Sequence, residues 1–294
     1  MTRVKTVSSF YQVAPSVVLE LQTRERLVDF LVHQFLFPVR LKKCRLPSAR
    51  LKITADFKRS YFTLQTHSHT IRTSNFISLL PLIDTEARWV IAGHLPAEWF
   101  PVHSAAVQKN NRSVLLLGES GAGKSRTLLD LVGKGYTGLS DELNFLNLRT
   151  FRLAPYLRHW NLKSPLPNAL RNLVHITFEA TRVATRQKLT NHYFPISEFQ
   201  NRCLLNGAPL FRIYYLKSRQ AKVSKRRALT TVEIIQHLAD NSYVYVLRHH
   251  PKAHLAQNYQ RRFLDLFKQL AKRPVAVSAE ELSVKKGSKL SQLI

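Results

Sequence analysis

Gly118-Glu119-Ser120-Gly121-Ala122-Gly123-Lys124-Ser125 satisfies G-x-x-x-x-G-K-[ST] at every fixed position, directly after the apolar run Val114-Leu115-Leu116-Leu117. Residues of these types in this order make a phosphate cradle. The glycines let the backbone curl until successive N–H groups point inward at phosphate oxygens. Lys124 is then placed to reach the outer phosphates, and the Ser125 hydroxyl to ligate Mg²⁺. The plain alternative is a glycine-rich turn between a strand and a helix. Against it stands the context: a buried-type strand precedes the loop. Arg126-Thr127-Leu128-Leu129-Asp130-Leu131-Val132 continues as a predicted helix whose N-terminus faces the phosphates. The expected ligand is ATP or GTP with Mg²⁺.

Phosphoryl transfer needs more than a cradle: a carboxylate for the metal and usually a base near the acceptor oxygen. Asp141 and Glu142 are the candidates, 17 residues after Lys124 at a predicted strand end. Adjacent side chains on a strand point to opposite faces, so one can serve the metal while the other faces the acceptor or supports the fold. A solvated turn is the competing reading. His103, within Pro101-Val102-His103-Ser104-Ala105-Ala106-Val107, is a further candidate. A histidine alone in an apolar strand is more often a satisfied core residue.

The elements that must position these groups follow from periodicity. Val102–Val107 and Ser113–Leu117 read as two strands joined by the turn 108–111, and Gly133-Lys134-Gly135 stops the helix after the loop. Tyr136–Leu148 reads as a strand interrupted by Ser140-Asp141-Glu142, and 173–178 and 210–216 as further strands. Thr230-Thr231-Val232-Glu233 is a capping box opening a helix through Leu238. A last amphipathic helix is predicted over 253–272, with Leu255, Tyr259, Phe263, Leu266, Phe267 and Leu270 on one face. Upstream, Thr23 is placed to cap a helix to about Leu36, with Leu27, Phe30, Leu31, Gln34 and Phe35 at helical spacing and Pro38 beyond it. Residues 51–57 and 61–66 read as a hairpin about the turn 58–60.

Composition bounds the partners. Lys and Arg total 45 against 18 Asp and Glu, a net +27, and such a field attracts polyanions: nucleic acid, an anionic membrane surface, an acidic protein or a phosphorylated substrate. The basic residues concentrate in 40–52, 182–188, 217–227 and around Lys285-Lys286-Gly287-Ser288-Lys289. Part of this is simply solvated surface. In 217–227 aromatics do not interleave with the cations as single-stranded nucleic-acid platforms require. No apolar run reaches the roughly 18–20 residues of a bilayer span, and no secretory leader is evident in the basic first ten residues. Two cysteines, Cys44 and Cys203, lack disulfide-framework or metal spacing, so a cytoplasmic chain with reduced thiols is the simplest expectation. His67-Ser68-His69 and His249-His250-Pro251-Lys252-Ala253-His254 are minor metal candidates without a Cys or acidic companion.

Together, a histidine strand, the GESGAGKS loop, a helix ending in Gly-Lys-Gly-Tyr and then Ser-Asp-Glu resemble the catalytic core of the HPr kinase/phosphorylase superfamily. The likeness is to its HPr-kinase-related branch of small stand-alone kinases, which includes kinases of lasso-peptide precursors. It is clearest over 99–148, weaker through Ala154–Arg158 and Asn161–Lys163, and thin to about 240. It implies an α/β chain with a phosphoenolpyruvate-carboxykinase-like P-loop fold, a mixed or antiparallel sheet flanked by helices. A small N-terminal α/β portion (1–98) would pack on a catalytic domain (99–273), with a basic mobile tail (274–294). It also implies ATP- and Mg²⁺-dependent phosphorylation of a serine hydroxyl on a protein or peptide, and often homo-oligomers. Carried over residue by residue, Gly118, Glu119, Ser120, Gly121, Ala122, Gly123, Lys124, Ser125 and Arg126 hold the nucleotide. Asp141 matches the base, and Glu142, where a second aspartate is usual, would serve the metal with Ser125. His103 lies near the transferring phosphate, and Arg158 and Lys163 match charge-neutralising basic positions. The Arg-Gly-x-Gly signature of the bifunctional enzymes is missing, since Asn191–Ile196 has no glycine, so reverse phosphorolysis and HPr itself fall outside the likeness. The competing class is a nucleotide-switched regulatory module that binds nucleic acid or another polyanion through its basic surface.

Overall fold

The computed structural model describes residues 6–56, 61–66, 70–163, 166, 176–182, 187–194, 207–217, 224–242, 257–272, 278–283 and 294. The chain divides into two compact units, Met1–Leu95 with Leu157–Glu198, and Pro96–Tyr156 with Phe199–Ile294. Each is mixed α/β, with sheets flanked by a few helices. Elements are numbered along the chain.

The first unit begins with β1 (Val7–Ala14), β2 (Val17–Thr23), α1 (Arg26–Phe35), β3 (Arg40–Leu41), β4 (Ala49–Asp56), β5 (Tyr61–Gln65), β6 (Thr70–Thr73) and α2 (Phe76–His94). Its six strands order as β3-β1-β2-β4-β5-β6, and only the β2–β4 pair is parallel. On β4, Leu51 and Ile53 are buried while Lys52 and Thr54 are exposed, the period of two expected of a sheet with one covered face. The β4–β5 hairpin matches the sequence expectation. Helix α1 starts and stops nearly as expected, but its buried face differs. Val28, Asp29, Val32 and Phe35 face inward, whereas Leu27 and Phe30 are 65% and 56% exposed. The cause is Asp29, whose carboxylate accepts from the Tyr11 hydroxyl at 2.8 Å and pairs with Arg40 at 2.9 Å. A satisfied buried charge has rotated the helix away from its apolar stripe. Three further strands, β13 (Trp160–Lys163), β14 (Ile176–Arg182) and β15 (Gln187–Phe194), form a separate antiparallel sheet of this unit.

The second unit holds β7 (Trp99–His103), β8 (Ala105–Lys109), β9 (Arg112–Leu117), α3 (Lys124–Val132), β10 (Thr137–Ser140), β11 (Leu143–Asn147) and β12 (Arg152–Pro155). After the excursion through the first unit come β16 (Ala208–Leu216), β17 (Lys225–Ala228), α4 (Thr231–Asp240), α5 (Gln257–Lys272) and β18 (Ser278–Ser283). The strands make one sheet in the order β10-β8-β9-β16-β12-β11-β7, with β18 beside β16 and β17 beside β18. It is mixed: β16 runs parallel to β9 and to β18, and the remaining pairs are antiparallel. One face is a core in which Leu115, Leu117 and Ile213 meet Ile234, Ile235 and Leu238 of α4 and Leu266 of α5. Each such side chain contributes roughly 1.5–3 kcal/mol on leaving water. Helix α3 packs against β8, β9 and β10.

Two expectations are corrected here. The single strand read over 102–107 is two, β7 and β8, with Ser104 between them. Ser104 donates to the Val102 carbonyl, and the Asn144 amide donates to both the Ser104 carbonyl and hydroxyl. β7 then pairs with β11, whereas β8 pairs with β9 and β10. Residues 278–283, assigned by sequence to a mobile tail, are a strand in register with β16, Arg212 opposite Ser278 through Leu216 opposite Leu282. Residues 67–69, 249–254 and Cys203 lie outside the described set.

Candidate phosphate-binding site

Strand β9 delivers the loop. Gly118, Gly121 and Gly123 take φ of 139°, 90° and 95°, a region that L side chains rarely adopt, so the three glycines of the motif stand where the backbone requires them. Gly118 is confined as well as twisted. A Cβ there would lie 2.5 Å from the Leu216 carbonyl oxygen and 3.1 Å from Ala122 Cβ. The Ala122 N–H donates to the Glu119 carbonyl at 3.1 Å and closes the turn, and Gly123 serves as the N-cap of α3. Lys124 is buried, and its ammonium donates to the Gly118 carbonyl at 2.7 Å and the Glu119 carbonyl at 3.2 Å. Its charge is therefore held over the loop by the loop's own backbone. Ser125 is half-buried and Arg126 exposed on the first turn of α3, which places the N-terminal turn and positive dipole end of that helix behind the loop.

The strand register brings the other candidates to the same edge of the sheet. Leu116 of β9 lies opposite Ala105, and Ala106 lies opposite Ser140. The end of β8 therefore lies beside the end of β9, and the end of β10 lies beside that of β8, two strand spacings or about 10 Å from β9. Asp141, the next residue after Ser140, is only 4% exposed. The Ser140 hydroxyl accepts from the N–H groups of Glu142 and Leu143, both at 3.4 Å, turning the chain from β10 into β11 and fixing the two acids at that corner. His103, opposite Leu143, is anchored by its N–H on the Asn241 carbonyl at 2.6 Å, and its Nδ1 lies 3.7 Å from Glu142 Oε1. Both partners are partly exposed, so solvent screens this contact.

Arg158 and Lys163 belong to the first unit. The Arg158 guanidinium is fully buried, with Nη1 3.6 Å from Asp84. The structure thus gathers loop, Asp141, Glu142 and His103 on one sheet edge and gives Arg158 a carboxylate partner within the other unit.

Sequence reasoning missed the stacked pair Tyr215–His237, centroids 3.6 Å apart and planes 11° from parallel. Tyr215 lies opposite Leu117, the residue before the loop. Burial first, then the negative charges of Glu119, Asp240 and Glu281, push its phenol above the usual range, and burial holds the His237 imidazole below its ordinary value. The two sit 22 residues apart on a strand and a helix, so no local spacing announces them.

Among the described residues no group of three or more His, Cys, Asp and Glu is placed to hold a metal, and no helix is long and apolar enough to cross a membrane. No protein-family model matches the chain, and a search of curated proteins finds no match.

Proposed function

We propose that this protein is an ATP- and Mg²⁺-dependent kinase of the HPr-kinase-like type. It transfers the γ-phosphoryl group to a serine hydroxyl of a protein or peptide, such as a ribosomal or lasso-peptide precursor. The second unit is read as a phosphoenolpyruvate-carboxykinase-like P-loop domain. The observation that carries the proposal is the convergence on one sheet edge of a glycine loop with positive φ, a buried lysine, and the Asp141–Glu142 corner. A simple nucleotide-binding turn does not require a buried carboxylate beside it.

The donor set suits Mg²⁺, which is held by one or two carboxylates and phosphate oxygens rather than by a closed protein cage. Ser125 and Glu142 are the residues that would hold it, and bound there it would draw charge from the phosphates. The chain's own groups do the rest. Loop N–H groups and Lys124 neutralise the β- and γ-phosphate oxygens and orient the chain of phosphates for in-line attack. Asp141 accepts the proton of the serine hydroxyl as the serine oxygen bonds to the γ-phosphorus and the bond from that phosphorus to the ADP oxygen breaks. Burial of Asp141 keeps water from competing for that proton. His103, with Glu142 beside its Nδ1, stands at the edge where phosphate charge changes most.

The test is intact-mass measurement of serine-bearing peptide acceptors incubated with ATP, Mg²⁺ and either wild type or Asp141→Asn. Wild type is expected to add a phosphoryl unit. The variant is expected to lose transfer by about 10²-fold or more while still binding ATP. Strong transfer by the variant overturns Asp141 as base; no transfer by wild type to any acceptor, with ATP bound, overturns the kinase reading.

A further inference from the structure

At the other end of β9, about 20 Å from the loop along the strand, the second unit opens a cavity of about 460 Å³. Lys109, Arg112 and Arg212 bring cations to it, and Tyr136, Phe211 and Tyr214 bring rings; Ile294 also contributes to its lining. These groups interleave. Lys109 Nζ lies 4.9 Å from the Tyr136 ring centre, Arg112 Cζ lies 4.8 Å from Phe211, and Arg212 Cζ lies 5.2 Å from Phe211 and 5.9 Å from Tyr214. None of the three cations forms an ion pair with a carboxylate among the described residues.

The cluster is built by a local irregularity. The β16–β9 register shifts between Leu210 and Arg212, leaving Phe211 as the extra residue of a bulge. Leu210 and Ile213 both face the core although they are three residues apart, which only an inserted residue permits. The bulge turns Phe211 outward beside Arg212, where it stays 38% exposed. Arg212 is held in place by donating to Ser278 Oγ at 2.7 Å and to the Tyr214 hydroxyl at 3.1 Å. On the facing side, Lys109 and Arg112 flank the two-residue turn Asn110-Asn111, whose φ of 51° and 56° make a tight hairpin that projects both cations.

We infer that this pocket is a binding site for single-stranded nucleic acid. Its cations meet phosphates, and its ring and guanidinium faces stack with an unpaired base. An acidic peptide would use the charges but has no need of the planar faces. A duplex would keep its bases from them. A volume of a few hundred Å³ suits one extruded nucleotide, and the net charge of +27 favours continuation of the strand across the surrounding surface. The inference does not depend on the kinase reading, because the pocket and the loop are at opposite ends of the sheet.

The test uses fluorescein-labelled dT12 and rU12 oligonucleotides, read by anisotropy over a salt series, with a 12-residue poly-glutamate peptide as competitor. Wild type is expected to bind the oligonucleotides and to be displaced only weakly by the peptide. Arg112→Ala with Arg212→Ala is expected to lower affinity at least 10-fold and to flatten the log–log salt slope by about 1.4, two single-strand contacts. Phe211→Leu, which keeps an apolar side chain and loses the ring, is expected to lose about 5-fold without a change in slope. Lys124→Met should bind oligonucleotide within 2-fold of wild type. Unchanged binding in both the arginine pair and Phe211→Leu overturns the site. Equal displacement by poly-glutamate overturns nucleic acid as its ligand.

Discussion

The two ends of the β9–β16 strand pair both suit phosphate, by opposite means. At the loop end φ at the glycines sets the direction of the backbone N–H groups, Lys124 adds one buried charge, and even a methyl at Gly118 meets the Leu216 carbonyl oxygen at 2.5 Å. At the other end the backbone is an ordinary hairpin and a bulge, and side chains from four segments supply both charge and flat surface. A backbone-built site tolerates almost no change at its glycines. A side-chain-built site loses function one residue at a time while its fold stays intact.

The largest effect should come from Gly118→Ala. The new Cβ requires a rarely populated φ and collides with backbone rather than with a flexible side chain, a cost above about 3 kcal/mol. Thermal unfolding should show a large loss of stability, and nucleotide binding should vanish. Phe211→Ala at the other end should stay within about 1 kcal/mol of wild type. A Gly118→Ala protein as stable as wild type would break the comparison at its stronger end.

Lys124→Met sharpens it next. Methionine fills the same space without the charge, so the loop should fold while ATP affinity drops about 10²-fold, the loss of charge-assisted contacts worth roughly 2–3 kcal/mol. Isothermal titration with ATP measures this. ATP affinity within a few-fold of wild type would mean that the ammonium held by Gly118 and Glu119 does not reach the phosphates.

The same contrast explains what was legible in the sequence. Positive φ admits few residues besides glycine, so the loop's geometry is written into residue types at fixed spacing, and the Asp141–Glu142 corner could be read beside it. The Thr230–Glu233 box was legible for the same local reason, and both of its reciprocal hydrogen bonds are present. Long-range choices were not legible. Whether Ser104 interrupts a strand depends on Asn144, forty residues away, and the inward face of α1 depends on Tyr11 and Arg40 satisfying Asp29. The aromatic–cation pocket draws on residues near 110, 136 and 212, and its key residue is aimed by a bulge that no composition signal marks. Nor could the partners of three cations in the basic run 217–227 be read locally. Lys217, Arg226 and Arg227 pair with Glu280, Glu281 and Glu233, acids that include two from the stretch assigned to a basic tail.

Those paired cations supply the next test. Glu280→Gln with Glu281→Gln leaves the fold's hydrogen-bonding groups in place while freeing Arg226 and Lys217; Arg227 keeps its pair with Glu233. Stability should fall by no more than about 1–2 kcal/mol, since the cations of these pairs are about half exposed and solvent screens them. Oligonucleotide binding should tighten, and its salt slope should steepen by about 1.4, two added single-strand contacts. An unchanged slope would show that paired and unpaired cations serve alike, and the distinction between the run and the pocket would fail.

The smallest effect concerns Glu233, which ties the run to α4. The Thr230 backbone N–H, then Arg227, then the Thr230 hydroxyl hold its carboxyl at about 2, against an ordinary value of 4.5. The folded value is depressed, so the charged form favours folding. Its contribution is complete above pH 4.5 and is lost as pH falls through that value toward 2. Glu233→Gln keeps a capping-box side chain but removes the charge. The melting temperature of the wild type should exceed that of the variant by a degree or two near neutral pH, and the gap should close between pH 4.5 and 2. A gap that persists unchanged at pH 2 would mean that shape and hydrogen bonding, not the ion pair with Arg227, fix this corner.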